Sequence, residues 1–386
     1  MIINTRGRIT RTRVLVALCI ILMGLSAAPL AAATAKPVKP SSMPSEMKKK
    51  EAVEWRQILE AAKKEGKIVI SGDPSEAWRA SLVDLFQQEY PEITVEYTGT
   101  NGRDFTPRLK RERELGQKLW DLAMRGTTSG MELKRGGFLD PIRALLLPEI
   151  ADDSKWIGGL DSLFYDRENK YVPAFTMYIQ RTTSVNHDFI KESELKSSRQ
   201  LIDPKYRGKI VIQPPTSGAT FSALCNLAHM YGAEFVRELL SKQDLVVTND
   251  KRQQAEWVVR GKYPIAIGFT ETQLVAFLKQ GLGKNVSTVE DKLTPVATGT
   301  GGVFLIKDAP HPNAATVYVN WLLSQKTQRS LTKNVLLNSL RTDVPHVHKG
   351  TAVDPARLSN YYRYSTEESM EASERFLPVI NEFLKK

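Results

Sequence analysis

The chain has 386 residues, of which 41% are hydrophobic and 25% charged, with a formal net charge of +11. The basic excess could suit nucleic acid, an anionic surface or a small anionic ligand, but it is spread along the sequence. Arg108, Lys110, Arg111 and Arg113 alternate with Glu112 and Glu114 as on a solvated helix face, which argues against nucleic acid.

Arg6, Arg8, Arg11 and Arg13 precede an apolar run from Val14 to Leu25, followed by alanine-rich sequence to Ala35. A basic segment, a short apolar stretch and an Ala-x-Ala site define a cleavable secretory signal over residues 1–35. The run is shorter than the ~20 residues a bilayer span needs, and Leu18 before Cys19 argues against lipidation. Cleavage would leave 351 residues with a net charge of +7, room for two lobes of ordinary domain size. Cys225 would be the remaining cysteine; with no partner it forms no internal disulfide, so the core must supply stability. The expected product is a soluble periplasmic monomer.

Residues 36–50, rich in Pro, Ser and Lys, read as a flexible tether. Trp55, Ile58, Leu59 and Ala62 share one helix face up to Gly66, and Lys67–Ser71 is a strand. The loop Gly72–Ser75 leads to a helix with Trp78, Leu82, Leu85 and Phe86 on one side, closed by Pro91. The alternation Ile93, Val95, Tyr97 marks a strand, a helix is expected over Phe105–Leu119, and a strand over Asp121–Met124 precedes a loop from Arg125 to Gly130. Strand–helix alternation predicts an α/β fold with a parallel sheet, whose ligands bind in loops at the carboxyl ends of strands. Here those loops are Ser71–Ser75, Thr98–Asn101 and Arg125–Ser129.

A second α/β unit opens with the β-branched run Ile210, Val211, Ile212, stopped by Pro214 and Pro215. Thr216 and Ser217 offer capping oxygens to an apolar helix from Ala219 to Met230. The free N–H groups of such a helix start attract anions, although capping alone would also account for these residues. A strand at Leu245–Thr248, a helix at Gln253–Arg260 and a strand at Ile265–Phe269 follow, the last ending in Thr270, Glu271, Thr272 and Gln273. A strand at Val303–Ile306 and two helices complete the pattern. Gly299-x-Gly301 lacks the third glycine of a dinucleotide fingerprint, and no catalytic or cofactor motif is present, so neither enzyme activity nor a cofactor is expected.

Several segments in order resemble bacterial ABC-transporter extracellular solute-binding proteins, the group that binds ferric ion, thiamine, polyamines, phosphonates or sugar phosphates. They are Ala61–Gly66; Phe86–Val95; Tyr206–Ile210 with Pro215–Gly218; Gly261–Ile267; and Ala309–Ala315 with Asn320–Ser324. The resemblance implies the type II periplasmic binding fold: two α/β lobes joined by crossing strands and closing on a small-molecule ligand. It also implies delivery to an ABC permease with its ATPase. The expected lobes are 51–175 with 297–345, and 176–296 with 346–386.

Ferric-ion binders of this group carry two adjacent tyrosines where this chain has Thr272 and Gln273, and some place a histidine and a glutamate where it has Pro74 and Arg125. A threonine hydroxyl and an amide do not suit hard Fe(III), so no metal site is expected, with iron or an iron chelate the alternative ligand. Tyr361–Tyr362 reads as packing or surface, and His346 with His348 lacks a third ligand nearby. The expected ligand is an anionic or zwitterionic organic solute. Ser71, Asp73, Ser75, Arg125 and Thr127 would contact it from one lobe, and Thr216, Ser217, Gly218, Glu271, Thr272 and Gln273 from the other. Tyr178, just past the first crossover, would either stack on it or pack in the core. In this reading the Arg125 guanidinium clamps the anionic group.

Overall fold

The computed structural model describes residues 45–384 apart from Asn101, Thr270 and Leu336, with the backbone alone at 45–51, Arg103, Glu271 and Thr272. The expected signal (1–35) and residues 36–44 of the expected tether lie outside the described residues. The rest of the tether is helical instead: α1 (Ser45–Glu65) starts well before Trp55. Glu, Met and Lys beyond Pro44 are good helix formers, and no proline interrupts them.

Gly66, at φ +69°, ends α1. The chain continues through β1 (Lys67–Gly72), α2 (Glu76–Leu82), α3 (Asp84–Glu89), β2 (Thr94–Gly99), α4 (Gly102–Glu114), β3 (Leu122–Arg125) and α5 (Thr127–Arg135). The helix expected around Trp78 and Phe86 is two, with Val83 at φ −98°, ψ −60° between them. The helix expected to reach Leu119 stops at Glu114, and Gly116 turns the chain at φ +73°. Where a loop was expected from Arg125 to Gly130, β3 ends and α5 begins, with Gly126 as its N-cap.

β4 (Tyr178–Ile179) carries the chain into the second lobe. That lobe comprises β5 (Thr183–Asn186), β6 (Ile210–Ile212), α6 (Gly218–Tyr231), α7 (Ala233–Lys242), β7 (Val246–Val247), α8 (Lys251–Val259), β8 (Ile265–Ile267), α9 (Glu271–Leu278) and β9 (Val286–Thr288). β10 (Thr294–Ala297) returns the chain to β11 (Gly302–Leu305), α10 (Pro312–Leu323) and α11 (Gln325–Val335). β12 (Tyr361–Arg363), α12 (Glu367–Glu374) and α13 (Leu377–Leu384) end the described chain.

The lobe 1 sheet has the order β11-β3-β1-β2, with β1, β2 and β3 parallel and β11 antiparallel to β3. The lobe 2 sheet has the order β7-β6-β8-β5-β9, in which β5 runs against its neighbours β8 and β9. A third sheet, β12-β10-β4, holds the two crossing strands side by side. Ile68, Ile70 and Phe304 belong to the lobe 1 core, whereas Ile210, Ile212 and Leu224 belong to a separate core in lobe 2. Each such side chain contributes about 1.5–3 kcal/mol by leaving water, so each lobe has its own source of stability. Among the described residues no helix is long and apolar enough to cross a membrane.

The expected assignment of residues 346–386 to lobe 2 needs correction. Val353 lies in the lobe 1 core, and Tyr361 and Met370 pack against it. The acidic face of α12 binds lobe 1 through Lys134–Glu367, Arg135–Glu374 and Arg167–Glu371 pairs. Lobe 2 receives the end of the segment, where Val379, Phe376 and Phe383 join its core. Apolar burial and the ion pairs of α12 fix the strap to lobe 1, and apolar burial fixes its end to lobe 2.

Candidate functional site

The carboxyl ends of β1, β2 and β3 converge around Arg125, but its guanidinium holds the protein together there. Nη1 donates to the Thr100 carbonyl at 2.7 Å, and Nη2 donates to the Thr100 hydroxyl at 2.6 Å and to Ser71 Oγ. The group lies 4.4 Å from the Phe105 ring centroid. Arg125 is 4% exposed, and burial draws its pKa down to about 10. Among the described residues no carboxylate pairs with it. A delocalised, weakly hydrated cation over an aromatic face tolerates this better than an ammonium would. Arg125 is therefore a staple between the loop after β2 and the ends of β1 and β3, with its Nε buried and unpartnered.

Ser71, Asp73 and Thr127 are similarly engaged within the protein. Ser71 Oγ lies 3.0 Å from Thr100 Oγ1. Asp73 accepts from the Ser75 amide at 2.8 Å, and its carbonyl accepts from the Tyr97 hydroxyl at 2.7 Å, which fixes the loop after β1. Ser75 is exposed at the start of α2 and makes no side-chain cap. Thr127 is buried, its hydroxyl 2.6 Å from Ser365 Oγ and 3.3 Å from Thr298 Oγ1.

In lobe 2 the start of α6 remains open. Ser217 has extended backbone (φ −71°, ψ 143°) but its side chain caps nothing, and its buried Oγ has no partner. Thr220 is fully buried with Oγ1 also unpartnered, while Thr216 and Gly218 are exposed. Gly268, at φ +70°, follows β8; a Cβ there would lie 2.5 Å from Thr220 Cα, so glycine alone lets the strand end meet the helix start. Gln273 ties α9 to α8, its Nε2 donating to Gln254 Oε1 at 2.9 Å and to the Lys251 carbonyl at 3.0 Å. Thr270 and the side chains of Glu271 and Thr272 lie outside the described residues.

A cavity of about 550 Å³ lies where the crossing strands meet the two lobes. Lobe 1 contributes Trp78, Gly299, Thr300, Val335 and Leu337; the first crossing brings Tyr178, Ile179 and Gln180. Arg181, Ala219, Lys251, Phe269 and Thr288 line it from lobe 2, with Arg181 Nη1 donating to Thr288 Oγ1 at 2.9 Å. Of the expected site residues, Tyr178 lines this cavity, and burial pushes its phenol pKa up. Ala219, the second residue of α6, brings the open helix start to the wall.

Arg181 and Lys251 were not anticipated. Lys251 opens α8 immediately after β7 and its Asp250 cap, so the rule that ligands gather at strand carboxyl ends would have found it. Arg181 follows the crossing strand β4, which is too short to show an alternating pattern.

Tyr362 is buried and stacked 4.6 Å from His229, and Tyr361 accepts from the Asp354 amide at 2.9 Å. Burial lowers the His346 pKa, and His348 Nε2 is buried without a partner. No group of three or more His, Cys, Asp or Glu side chains is placed to hold a metal among the described residues.

Two α/β lobes, two crossing strands and a cavity at the crossing define a two-lobed periplasmic binding protein. The chain matches the family described as bacterial extracellular solute-binding protein over residues 71–329, and it belongs to that family. It is similar to iron-bound HitA from Pseudomonas aeruginosa (18% identity, TM-score 0.61), over 82% of this chain and 99% of that one. An ABC transporter from Clostridium perfringens (15%, TM-score 0.66) and Trichodesmium IdiA (FutA) with iron and citrate (16%, TM-score 0.62) each align over 82% of this chain and 99% of theirs. An uncharacterized Haemophilus influenzae protein is 25% identical over 191 residues, covering 46% of this chain and 52% of that protein. The match therefore spans about half the length of that relative.

Proposed function

We propose that this protein is the solute-binding component of an ABC importer and captures a small organic anion by lobe closure. The observation that carries this reading is the lobe 2 wall of the cavity, to which Lys251 and Ala219, at the start of α6, both contribute. The uncapped start of α6 adds backbone donors to the same wall, where the helix dipole favours negative charge. Closure would bury the ligand between lobes, and the permease would read the closed shape. The protein acts in the periplasm after removal of residues 1–35 and performs no chemistry on its ligand.

The second reading, an iron or iron-chelate binder, rests on the iron named for HitA and for the Trichodesmium protein. A thermal-shift screen against phosphonates, sugar phosphates, carboxylates, amino acids, polyamines and ferric citrate separates the two. A ligand at 100 times its Kd adds about 2.7 kcal/mol to stability. Stabilisation by organic anions supports the first reading. Stabilisation by ferric citrate with no response to iron-free anions supports the second.

A further inference from the structure

We infer that the C-terminal strap is a third element of the hinge: α12 holds lobe 1, α13 holds lobe 2, and together they brace the lobes in the arrangement seen here. The inference rests on the reading above only in that the lobes move, and it does not depend on which solute is bound. Two crossing strands alone make a thin ribbon, since β4 has two residues and β10 four, and a two-stranded ribbon is marginally stable by itself. β12 adds a third strand, running parallel to β10 with Tyr361 opposite Thr294 and Arg363 opposite Val296.

Beyond β12 the strap first grips lobe 1. Glu367 pairs with Lys134 at 2.9 Å, and its amide donates to the Tyr165 carbonyl at 2.9 Å. Arg135 and Arg167 reach Glu374 and Glu371 on the same helix. Lobe 2 holds the strap from the other side. Tyr362 stacks 4.6 Å from His229 of α6, Ser373 meets the Cys225 thiol of that helix, and Val379 is buried in the lobe 2 core with Phe383 packed against it. Between α12 and α13 lie only Arg375 and Phe376, and two residues span at most about 7 Å. Arg375 is helical (φ −66°, ψ −20°) and the Phe376 amide donates to the Ser373 carbonyl at 2.9 Å, so the joint has little slack. A rotation of one lobe against the other must therefore bend this joint or loosen an anchor. The exposed ion pairs of α12 are the part that yields, because such pairs contribute little in water and salt screens them. Where binding needs one lobe arrangement, the fraction of molecules holding it scales the affinity. The strap thus sets how readily the lobes turn.

Pulsed EPR on the purified protein without added solute tests this. Spin labels go on Glu76→Cys of α2 and Ala276→Cys of α9, both exposed, while Cys225 is buried and stays unlabelled. The labelled parent should show one dominant distance between the lobes. Glu374→Arg sets like charge against Arg135, and Phe383→Ala loosens the opposite anchor. Each should raise a second distance population about threefold or more over the parent. Adding Arg135→Glu to Glu374→Arg restores an ion pair and should restore the parent distribution. In about 1 M salt, where the Debye length is about 3 Å, the parent should move toward the Glu374→Arg pattern. Circular dichroism checks that each variant is folded. An unchanged distribution in the folded variants overturns the inference. So does an effect at one anchor alone, since a brace fails when either end is freed. Because no solute is present, either failure leaves the solute-binding reading standing, and that reading falls only in the thermal-shift screen.

Discussion

Arg125 donates to Thr100 through both terminal nitrogens, Nη1 to the carbonyl at 2.7 Å and Nη2 to the hydroxyl at 2.6 Å. The end of β3 is thereby fastened to the residue that follows β2. Arg125→Met should cost about 2 kcal/mol of stability by removing charged hydrogen bonds, seen as a lower urea midpoint. Anion affinity, measured well below the melting temperature, should change less than threefold. A loss of more than a hundredfold without destabilisation would restore Arg125 as a ligand clamp.

Gly268→Ala tests the seat of α6. The side chain would demand a strained φ of +70° and would sit 2.5 Å from Thr220 Cα. A cost of about 3 kcal/mol is expected from the combined strain and overlap. Because the backbone of α6 must shift to admit the methyl group, anion affinity should fall as well.

Cys225 is 1% exposed, and burial pushes its thiol from 9.0 up to about 11. The folded state keeps the proton longer than the unfolded chain does. The stabilisation is therefore whole below pH 9 and is lost as pH rises through about 11. Relative to Cys225→Ala, the wild-type protein should lose about 2 kcal/mol between pH 8 and pH 10.5 in urea titrations. Ellman's reagent should leave the native thiol untouched at pH 8 and label it on unfolding. A rapidly labelled native thiol would contradict its burial.

Glu367 anchors the C-terminal strap, pairing with Lys134 at 2.9 Å with side chains 16% and 15% exposed, and accepting from the Arg167 amide at 3.0 Å. Glu367→Gln should cost about 1 kcal/mol, more than a fully exposed pair would. Limited proteolysis should then cut earlier between residues 346 and 376, where the strap leaves lobe 1. An unchanged cleavage pattern would mean that β12 and α13 hold the strap unaided.

Much of the fold is legible in the sequence. Ile68 and Ile70 alternate on β1, the β-branched run at 210–212 is fully buried, and Pro214 and Pro215 end it as expected. The crossing strands were not legible. β4 has two residues and β10 opens Thr294-Pro295, so neither shows a period, and each exists through its pairing with the other. The strap was misassigned because its carboxylates look like any solvated face until Lys134, Arg135 and Arg167 are placed opposite them.

The sequence by itself determined the alternating α/β pattern and a helix start after Pro215, because periodicity, prolines and capping residues act over a few neighbouring positions; that Ser217 caps nothing was decided by the structure. Tertiary structure decided which side chains line the cavity. Trp78, Arg181, Lys251, Phe269 and Gly299 are scattered along the chain and meet only because the crossing strands bring the lobes to one cavity. Arg125 and Thr127, at an expected strand end, turn away from it because Thr100, Ser71 and Ser365 offer nearer oxygens. A side chain's position along the chain sets which strand end it occupies; the partners packed around it set which way it faces.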